Sequence, residues 1–281
     1  MKHLSKLFAV ACLAGLAIPS AASAQATGSP DFTVYSRDGE LSPHTQAPSR
    51  ETLMNAIDVA SPVALQSLLE YGERVECHEC VPLLQQRMLN PGEDARVREM
   101  AAWWLRRRPF GFAAVMYETR QVLANDADPA RRAVAAEAIG EFMDPHGVTH
   151  LGNALMNDTD VRVRVAAVTG IARINSAAGL TFVSSALRDA SPEVQQAALR
   201  VLLRVNFFRD YDALLPLLAS DDAQIRRRAA LVIGTYELAA SVPALAAMVL
   251  GDTDVMVRQS AAWALGRIGT PEARAALREA Q

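Results

Sequence analysis

The chain has no lysine after Lys6, only three cysteines, and aromatic residues at 6% of its composition. Apart from one short apolar run near the N-terminus, it has no long hydrophobic stretch that predicts a membrane helix. Setting the two N-terminal lysines aside, 26 arginines face 31 acidic residues, a net charge of −5. Because binding to phosphate backbones needs a net or clustered positive field, this balance argues against nucleic acid as a partner. The sequence has no P-loop, G-x-S-x-G or paired-carboxylate motif, so it predicts no catalytic centre.

The first 24 residues have the pattern of a cleaved secretory signal. Lys2 and Lys6 precede an apolar run over residues 7–18, and the small-residue triplet Ala22-Ser23-Ala24 follows. A mitochondrial presequence is disfavoured because the segment contains no arginine, and a lipid anchor at Cys12 would leave too short an apolar region. The pattern predicts cleavage after Ala24 and export to the periplasm or outside the cell. Residues 25–48, rich in Ser, Pro, Gly and Thr, predict a flexible leader.

A repeated pattern occupies most of the remaining chain. It consists of an Asp, an Arg four residues later, an Ala three residues after that, and an aliphatic residue four further on. Successive copies lie 34, 32, 31, 31 and 32 residues apart. The copies are Asp94–Arg98–Ala101–Leu105, Asp128–Arg132–Ala135–Ile139, Asp160–Arg164–Ala167–Ile171, Ser191–Gln195–Ala198–Leu202, Asp222–Arg226–Ala229–Ile233 and Asp254–Arg258–Ala261–Leu265. A period in this range is typical of a solenoid, whose units bury their apolar faces by stacking.

Each copy predicts a pair of antiparallel helices. The Asp is a good N-cap for the second helix, and the residue three on, the Ala and the aliphatic residue form one apolar stripe. The leucine-rich segment before the Asp predicts the first helix, as at residues 81–84, 214–218 and 242–245. Gly140, Gly234 and Gly266 follow the aliphatic position, where close packing or the helix end is expected.

Helix pairs with an Asp…Val-Arg…Ala-Ala…Leu-Gly second helix resemble HEAT repeats, in particular the short bacterial type called phycobilisome-lyase-like. The resemblance covers residues 78–268 and implies an all-α superhelix of six helix pairs. We therefore divide the chain into a signal peptide (1–24), a leader (25–48) and a repeat domain (49–281). Within that domain, residues 49–76 are expected to form an N-terminal cap pair, 77–268 the six repeats and 269–281 a C-terminal cap.

The resemblance also implies that the repeated Asp and Arg bond to each other along the stack. The residues of this expected ladder are Asp94, Arg98, Asp128, Arg132, Asp160, Arg164, Asp222, Arg226, Asp254 and Arg258. In the fourth copy both positions differ, as Ser191 and Gln195. The favoured interpretation is that losing one charge makes its partner costly to keep. The other interpretation is a break in a binding surface.

Cys77-His78-Glu79-Cys80 is the one local cluster of reactive residue types. Cleavage of the predicted signal would remove Cys12, and the even count of two that remains in an oxidising compartment favours a structural disulfide between Cys77 and Cys80. A redox-active dithiol and a metal site are the alternatives, although no thioredoxin-like segment and no second ligand pair accompany them. Covalent haem attachment is excluded because Val81, not His, follows Cys80. Deoxyhypusine hydroxylase-like repeat proteins bind two irons through several His-Glu pairs, and this chain has only His78-Glu79. We therefore predict no metal and no cofactor.

The remaining candidate is a surface. In the resembled family the second helices line the concave side of the stack, and one face of these helices is rich in Arg and Trp, residue types common at interface hot spots. Its candidate partner-binding residues are Arg96, Trp103, Arg107, Arg162, Arg173, Arg200, Arg204, Arg228, Trp263 and Arg267. The alternative is that the arginines form a solvated surface and each Trp covers an end of the core.

The sequence therefore predicts an exported, non-catalytic scaffold or adaptor of a Gram-negative-type bacterium that binds a protein partner of unknown identity on its concave face. Bilin-attaching lyases share the repeat type but work in the cytoplasm, which conflicts with the predicted export. A redox or metal-dependent accessory protein using Cys77 and Cys80 is the alternative function.

Overall fold

A computed structural model describes residues 47–108, 111–205 and 208–280, which form helices and no β-strand. The α-helices are α1 (Arg50–Val59), α2 (Pro62–Tyr71), α3 (Cys80–Met88), α4 (Ala95–Leu105), α5 (Phe112–Asn125), α6 (Pro129–Phe142), α7 (Gly147–Asn157), α8 (Val161–Ile174), α9 (Gly179–Ala186), α10 (Pro192–Leu202), α11 (Ala223–Thr235), α12 (Val242–Gly251), α13 (Val255–Ile268) and α14 (Pro271–Glu279). Within these ranges, no helix combines the length and apolarity needed to cross a bilayer. The predicted signal peptide and the predicted leader up to residue 46 lie outside the described residues.

The helices pack as a stack of antiparallel pairs, as the repeat predicts. The second helices are α4, α6, α8, α10, α11 and α13, and the pair α1–α2 and the single helix α14 flank them. Five of the six second helices begin at the predicted capping Asp, whose carboxylate accepts a hydrogen bond from a first-turn backbone N–H. Ser191 makes no such bond, because its hydroxyl donates to Glu193 instead. The predicted N-caps are therefore confirmed in every unit except the fourth.

The core of the stack is the apolar stripe of the second helices. In α8, Val163, Ala167 and Ile171 are buried, and the matching positions of the other second helices are buried in the same way, except for exposed Arg131. Small residues bring neighbouring second helices into backbone contact. A Cβ on Gly140 would lie 2.6 Å from the Cα of Gly170, and one on Gly234 would lie 2.7 Å from the Cα of Ala264. Gly266 has open space around it, so close packing is not its role.

The close glycine contact between neighbouring second helices is missing at α10. At the position that Gly140 and Gly234 occupy in their units stands Leu203, which lies just beyond the end of α10 and is 43% exposed. A leucine side chain does not permit the backbone approach that glycine allows there. Helix α10 therefore lacks the close glycine contact that joins α6 to α8 and α11 to α13.

The segment predicted as the first helix of the fifth unit is not an α-helix. Leu214 lies in a turn between two short 3-10 segments, Tyr211–Ala213 and Leu215–Ala219, and the second of these contains residues 215–218. Pro216 accounts for the difference, because in a helix starting near Tyr211 its ring would clash with the carbonyl four residues before it and its nitrogen has no proton to donate. The leucines nevertheless pack inward, since Leu214, Leu217 and Leu218 are buried. The prediction of a regular helix at 214–218 was wrong.

Candidate functional site: the second helices and their concave face

Arginines do form a ladder between adjacent units. Arg132 contacts both carboxylate oxygens of Asp158 at 2.7 and 2.9 Å, Arg164 contacts those of Asp189 at 2.9 and 3.0 Å, and Arg226 contacts those of Asp252 at 2.7 and 2.8 Å. In each rung the third guanidinium nitrogen, Nη1, donates to a backbone carbonyl six residues earlier in its own unit. Each Asp also accepts the backbone N–H of the capping residue that follows it by two positions. A rung therefore fixes both the stacking and the start of the next second helix.

The acids of this ladder are not the predicted ones. Asp94, Asp128, Asp160, Asp222 and Asp254 are N-caps, and the rungs use the acid two residues earlier, as in Asp158-Thr159-Asp160. The carboxylate of a capping Asp already accepts backbone N–H groups, whereas the acid two positions earlier faces the preceding unit. A recurring Asp-x-Asp or Asp-x-Ser was the sequence signal for this arrangement.

The missing rung has a different explanation from the predicted one. The acid that would face Gln195 belongs to the next unit, where Ser220 occupies the ladder position. The relevant change is therefore at Ser220 and not at Ser191. Gln195 keeps only the bond to the Asp189 carbonyl, at 2.8 Å. The two end arginines also depart from the pattern: Arg98 pairs with Glu137 at 3.0 Å, and Arg258 donates only to carbonyls of its own loop. Among the described residues, Arg132, Arg164 and Arg226 are the three arginines that bridge neighbouring units to an Asp in this way.

The rungs are electrostatically favourable. The hydrogen bond from Arg226 is the main cause that holds the pKa of Asp252 below its usual value. Burial would raise the pKa of Asp158, but hydrogen bonds from Arg132 and the Asp160 backbone outweigh it and the pKa is lowered. The hydrogen bond to Asp189 likewise raises the pKa of Arg164. The ladder therefore stabilises the stack in its ionised form.

Cys77 and Cys80 lie at the start of α3 and are joined by a disulfide, with Cα atoms 5.2 Å apart. Their exposed fractions are only 2% and 0%. A reactive thiol needs access for its substrate, so this position favours a staple over a redox centre. Across residues 47–108, 111–205 and 208–280, no group of three or more His, Cys, Asp or Glu is arranged to hold a metal ion.

The face of the second helices that the family resemblance places on the concave side carries a groove across α4, α6 and α8, and we call it the concave face. The groove has a volume of about 200 Å³, and two arginines and three glutamates line it. Arg173 of α8 contacts Glu99 of α4 at 2.5 Å and also pairs with Glu141 of α6. These acids were not among the sequence candidates, although they recur on the same helical face as the predicted arginines.

Several predicted partner-binding arginines are already engaged by acids. Arg107 pairs with Glu73, Arg162 with the capping Asp160 at 2.8 Å, and Arg267 with Glu237 at 2.8 Å. Arg107 also lies 4.3 Å from the ring centre of Trp103, which packs partly into the core. Arg96 is exposed at the start of α4. Part of the predicted set is therefore already neutralised by acids of the same chain.

Some of the predicted arginines have no acidic partner among the described residues. Arg200 of α10, Arg204 just beyond its end and Arg228 of α11 make no side-chain hydrogen bond or ion pair with any described residue. Neither does Arg227, which the sequence analysis missed. We call these four residues the arginine patch. Burial is the main cause that lowers the pKa of Arg200, followed by repulsion from Arg228. The run Arg226-Arg227-Arg228 was the signal for the fourth member.

Trp263 of α13 lies on the neighbouring second helix and is 45% exposed. One edge of its indole packs where Gly234 of α11 leaves room, because a Cβ there would come within 2.7 Å of the ring. This tryptophan is therefore held against α11 while much of its surface stays open to a partner.

Comparison with known families agrees with this architecture. A family model described as HEAT repeats matches residues 116–202, 148–231 and 211–281, which together exceed half of the chain. The bilin biosynthesis protein PecE of Nostoc sp. strain PCC 7120 is 28% identical over 144 residues, covering 50% of this chain and 56% of PecE. PecE of Mastigocladus laminosus is 26% identical over 144 residues, covering 50% and 53%. The chain thus spans about half the length of these curated relatives.

Solved structures show the same fold at low sequence identity. The X-ray structure of YibA from E. coli superposes with a TM-score of 0.57 at 15% identity, covering 83% of this chain and 86% of YibA. Kap121p, solved bound to Pho4p, gives a TM-score of 0.53 at 17% identity, covering 85% of this chain and 29% of Kap121p.

Proposed function

This chain belongs to the HEAT-repeat family, and we propose that it is an exported, non-catalytic scaffold that binds a partner protein on its concave face. The observation that carries the proposal is the concave face itself. It presents a groove over α4, α6 and α8 and, further along, unpaired arginines beside an exposed tryptophan. Arginine and tryptophan are enriched among residues that dominate protein–protein binding energy.

Export and the absence of catalysis are parts of this proposal. The basic start, short apolar run and Ala22-Ser23-Ala24 support a cleaved signal and a periplasmic or secreted location. PecE is a bilin biosynthesis protein, but the similarity covers about half of each chain, and PecE's activity is not transferred here.

A capture experiment tests the proposal. Tagged protein is recovered from the periplasmic fraction of its own host, and the captured proteins are quantified for wild type and two matched variants. Thr169→Arg places a bulky cation in the concave groove, and Thr149→Arg makes the same change on an exposed position of α7. We expect one main partner whose recovery falls at least fivefold in Thr169→Arg and stays unchanged in Thr149→Arg.

Two results would contradict the proposal: no enriched protein from any fraction, or equal recovery with both variants. Circular dichroism of each variant establishes that the helices are intact. Finding the protein only in the cytoplasm, with residues 1–24 still attached, would refute the export part.

A further inference from the structure

Three glutamates on the N-terminal second helices have an arginine at the matching position of a C-terminal unit. Counting from the capping residue, the fifth position is Glu99 in α4 but Arg227 in α11. The ninth position is Glu137 in α6 but Arg200 in α10, and the thirteenth is Glu141 in α6 but Arg204, just beyond the end of α10. Arg107 and Arg173 also occupy a thirteenth position, so at these positions the halves differ in their glutamates and not in having arginines.

The consequences for pairing differ between the halves. The N-terminal glutamates are bound by arginines of their own face, namely Arg98 and Arg173. No described acid pairs with the arginine patch, and Arg200 and Arg204 are exposed. Because these exposed guanidiniums have no acid of their own chain to bind among the described residues, they are available to the carboxylates of a partner.

We propose that the arginine patch binds the carboxylates of an acidic segment in a partner protein, and that Trp263 contacts an apolar side chain of the same segment. This rests on the proposed function, since the segment belongs to the partner of the scaffold. Carboxylates suit the patch because guanidinium forks bind them through two parallel hydrogen bonds. Charge complementarity therefore selects an acidic partner even though the chain as a whole is acidic.

The size of the segment follows from helix spacing. The patch and Trp263 span α10, α11 and α13, which pack in that order. Neighbouring helix axes lie about 10 Å apart, so the site is about 20 Å wide. An extended chain advances about 3.3 Å per residue, so about six residues cover it. Two or three acidic residues followed by an aromatic one would fill the site.

Pooled peptides test this directly on the full repeat domain. One pool holds eight-residue peptides that combine Asp and Glu in random order with one Phe, and a matched pool replaces the acids with Asn and Gln. Binding is measured by fluorescence anisotropy at 50 mM and 500 mM NaCl. We expect the acidic pool to bind at least tenfold more tightly at low salt and to lose most of that advantage at high salt, because salt screens exposed charges.

Matched variants assign the binding to the patch. The double variant Arg200→Gln, Arg228→Gln should weaken acidic-pool binding about tenfold, as expected when two interface ion pairs are lost. The control double variant Arg131→Gln, Arg188→Gln has the same net charge, but both of its arginines are exposed and already paired with acids. It should bind within twofold of wild type. Trp263→Ala should weaken binding of the Phe-containing pool and leave a Phe-free acidic pool unchanged.

Equal binding of the two pools, or equal losses in the two double variants, would overturn the proposal. Tighter binding of an eight-nucleotide thymidine strand than of the acidic pool would overturn it too, because the patch would then prefer phosphate. If the peptides fail while Thr169→Arg still abolishes partner capture, the inference falls and the scaffold stands. Failure of both experiments removes the scaffold as well.

Discussion

Removing the acid of one ladder rung should destabilise the stack in a graded way. Asp252 is 6% exposed and Arg226 is 14% exposed at their side chains, so the pair is largely shielded from water. Asp252→Ala leaves two guanidinium donors of Arg226 and the backbone N–H of Asp254 without their carboxylate. Breaking a buried pair costs about 3–5 kcal/mol, but Arg226 keeps its two carbonyl bonds, so we expect a loss of about 2–3 kcal/mol in the free energy of unfolding.

Three further substitutions calibrate this loss. Asp252→Asn keeps the shape and one acceptor oxygen, and should cost about 1–2 kcal/mol. Gln195→Ala lies at the missing rung and removes a single bond to the Asp189 carbonyl, so it should cost about 1 kcal/mol. Asp221→Ala removes an exposed acid just before α11, and its free energy of unfolding should stay within about 0.5 kcal/mol of the wild-type value. Urea denaturation followed by circular dichroism gives the series. Equal losses for Asp252→Ala and Asp221→Ala would refute the ladder as a source of stability.

Three other predictions concern pH, a buried arginine and the disulfide. The pKa of Asp252 is lower in the folded than in the unfolded chain, so its contribution to the free energy of unfolding is fully present above the unfolded pKa of about 3.9 and is lost as the pH falls through the folded pKa. The urea denaturation curves of wild type and Asp252→Asn should therefore differ fully at pH 7 and converge below about pH 4. A difference that stays constant with pH would contradict this. Arg108 lies over the Trp104 ring at 3.7 Å and donates to the carbonyls of Trp104, Val75 and Glu73. Arg108→Met should therefore cost about 3 kcal/mol in thermal unfolding, clearly more than Arg106→Met, which removes one bond to the Glu141 carbonyl. Equal costs would refute a stabilising role for the Arg108 hydrogen bonds. The double variant Cys77→Ser, Cys80→Ser should lose about 2 kcal/mol of unfolding free energy, because the loop-closure entropy of the disulfide is gone, yet keep partner capture. A redox role would be favoured instead if capture were lost with intact folding and thiol trapping found a substantial reduced fraction of the wild-type protein in cells.

The sequence predicted the parts of the fold that depend on local pattern. The repeat spacing, the Asp caps and the Val-Ala-Ile stripe of units such as Val163–Ile171 each follow from helix geometry within one unit. Their burial in the structure confirms the all-α solenoid. The reason for the failure at 214–218 is also local, because Pro216 lies too far inside the leucine-rich segment to be compatible with an α-helix there.

The ladder and the site were harder to predict, because they depend on contacts between units. Whether Arg132 meets Asp128 or Asp158 is decided by how the next unit stacks, which no single repeat encodes. In the same way, Arg173 and Arg204 are equivalent in sequence, since each is the thirteenth residue after its cap. Only the stack shows that Arg173 meets glutamates from two other helices while Arg204 meets none among the described residues.

The most direct test of the central claim, that the concave face is the partner-binding surface, is photo-crosslinking in living cells. A benzophenone amino acid replaces Thr169 on the concave side of α8 or Tyr117, which is 64% exposed on the first-helix side. We predict a single crosslinked protein from position 169, of the same mass as the captured partner, and none from position 117. A partner crosslinked from position 117 and not from position 169 would contradict the account.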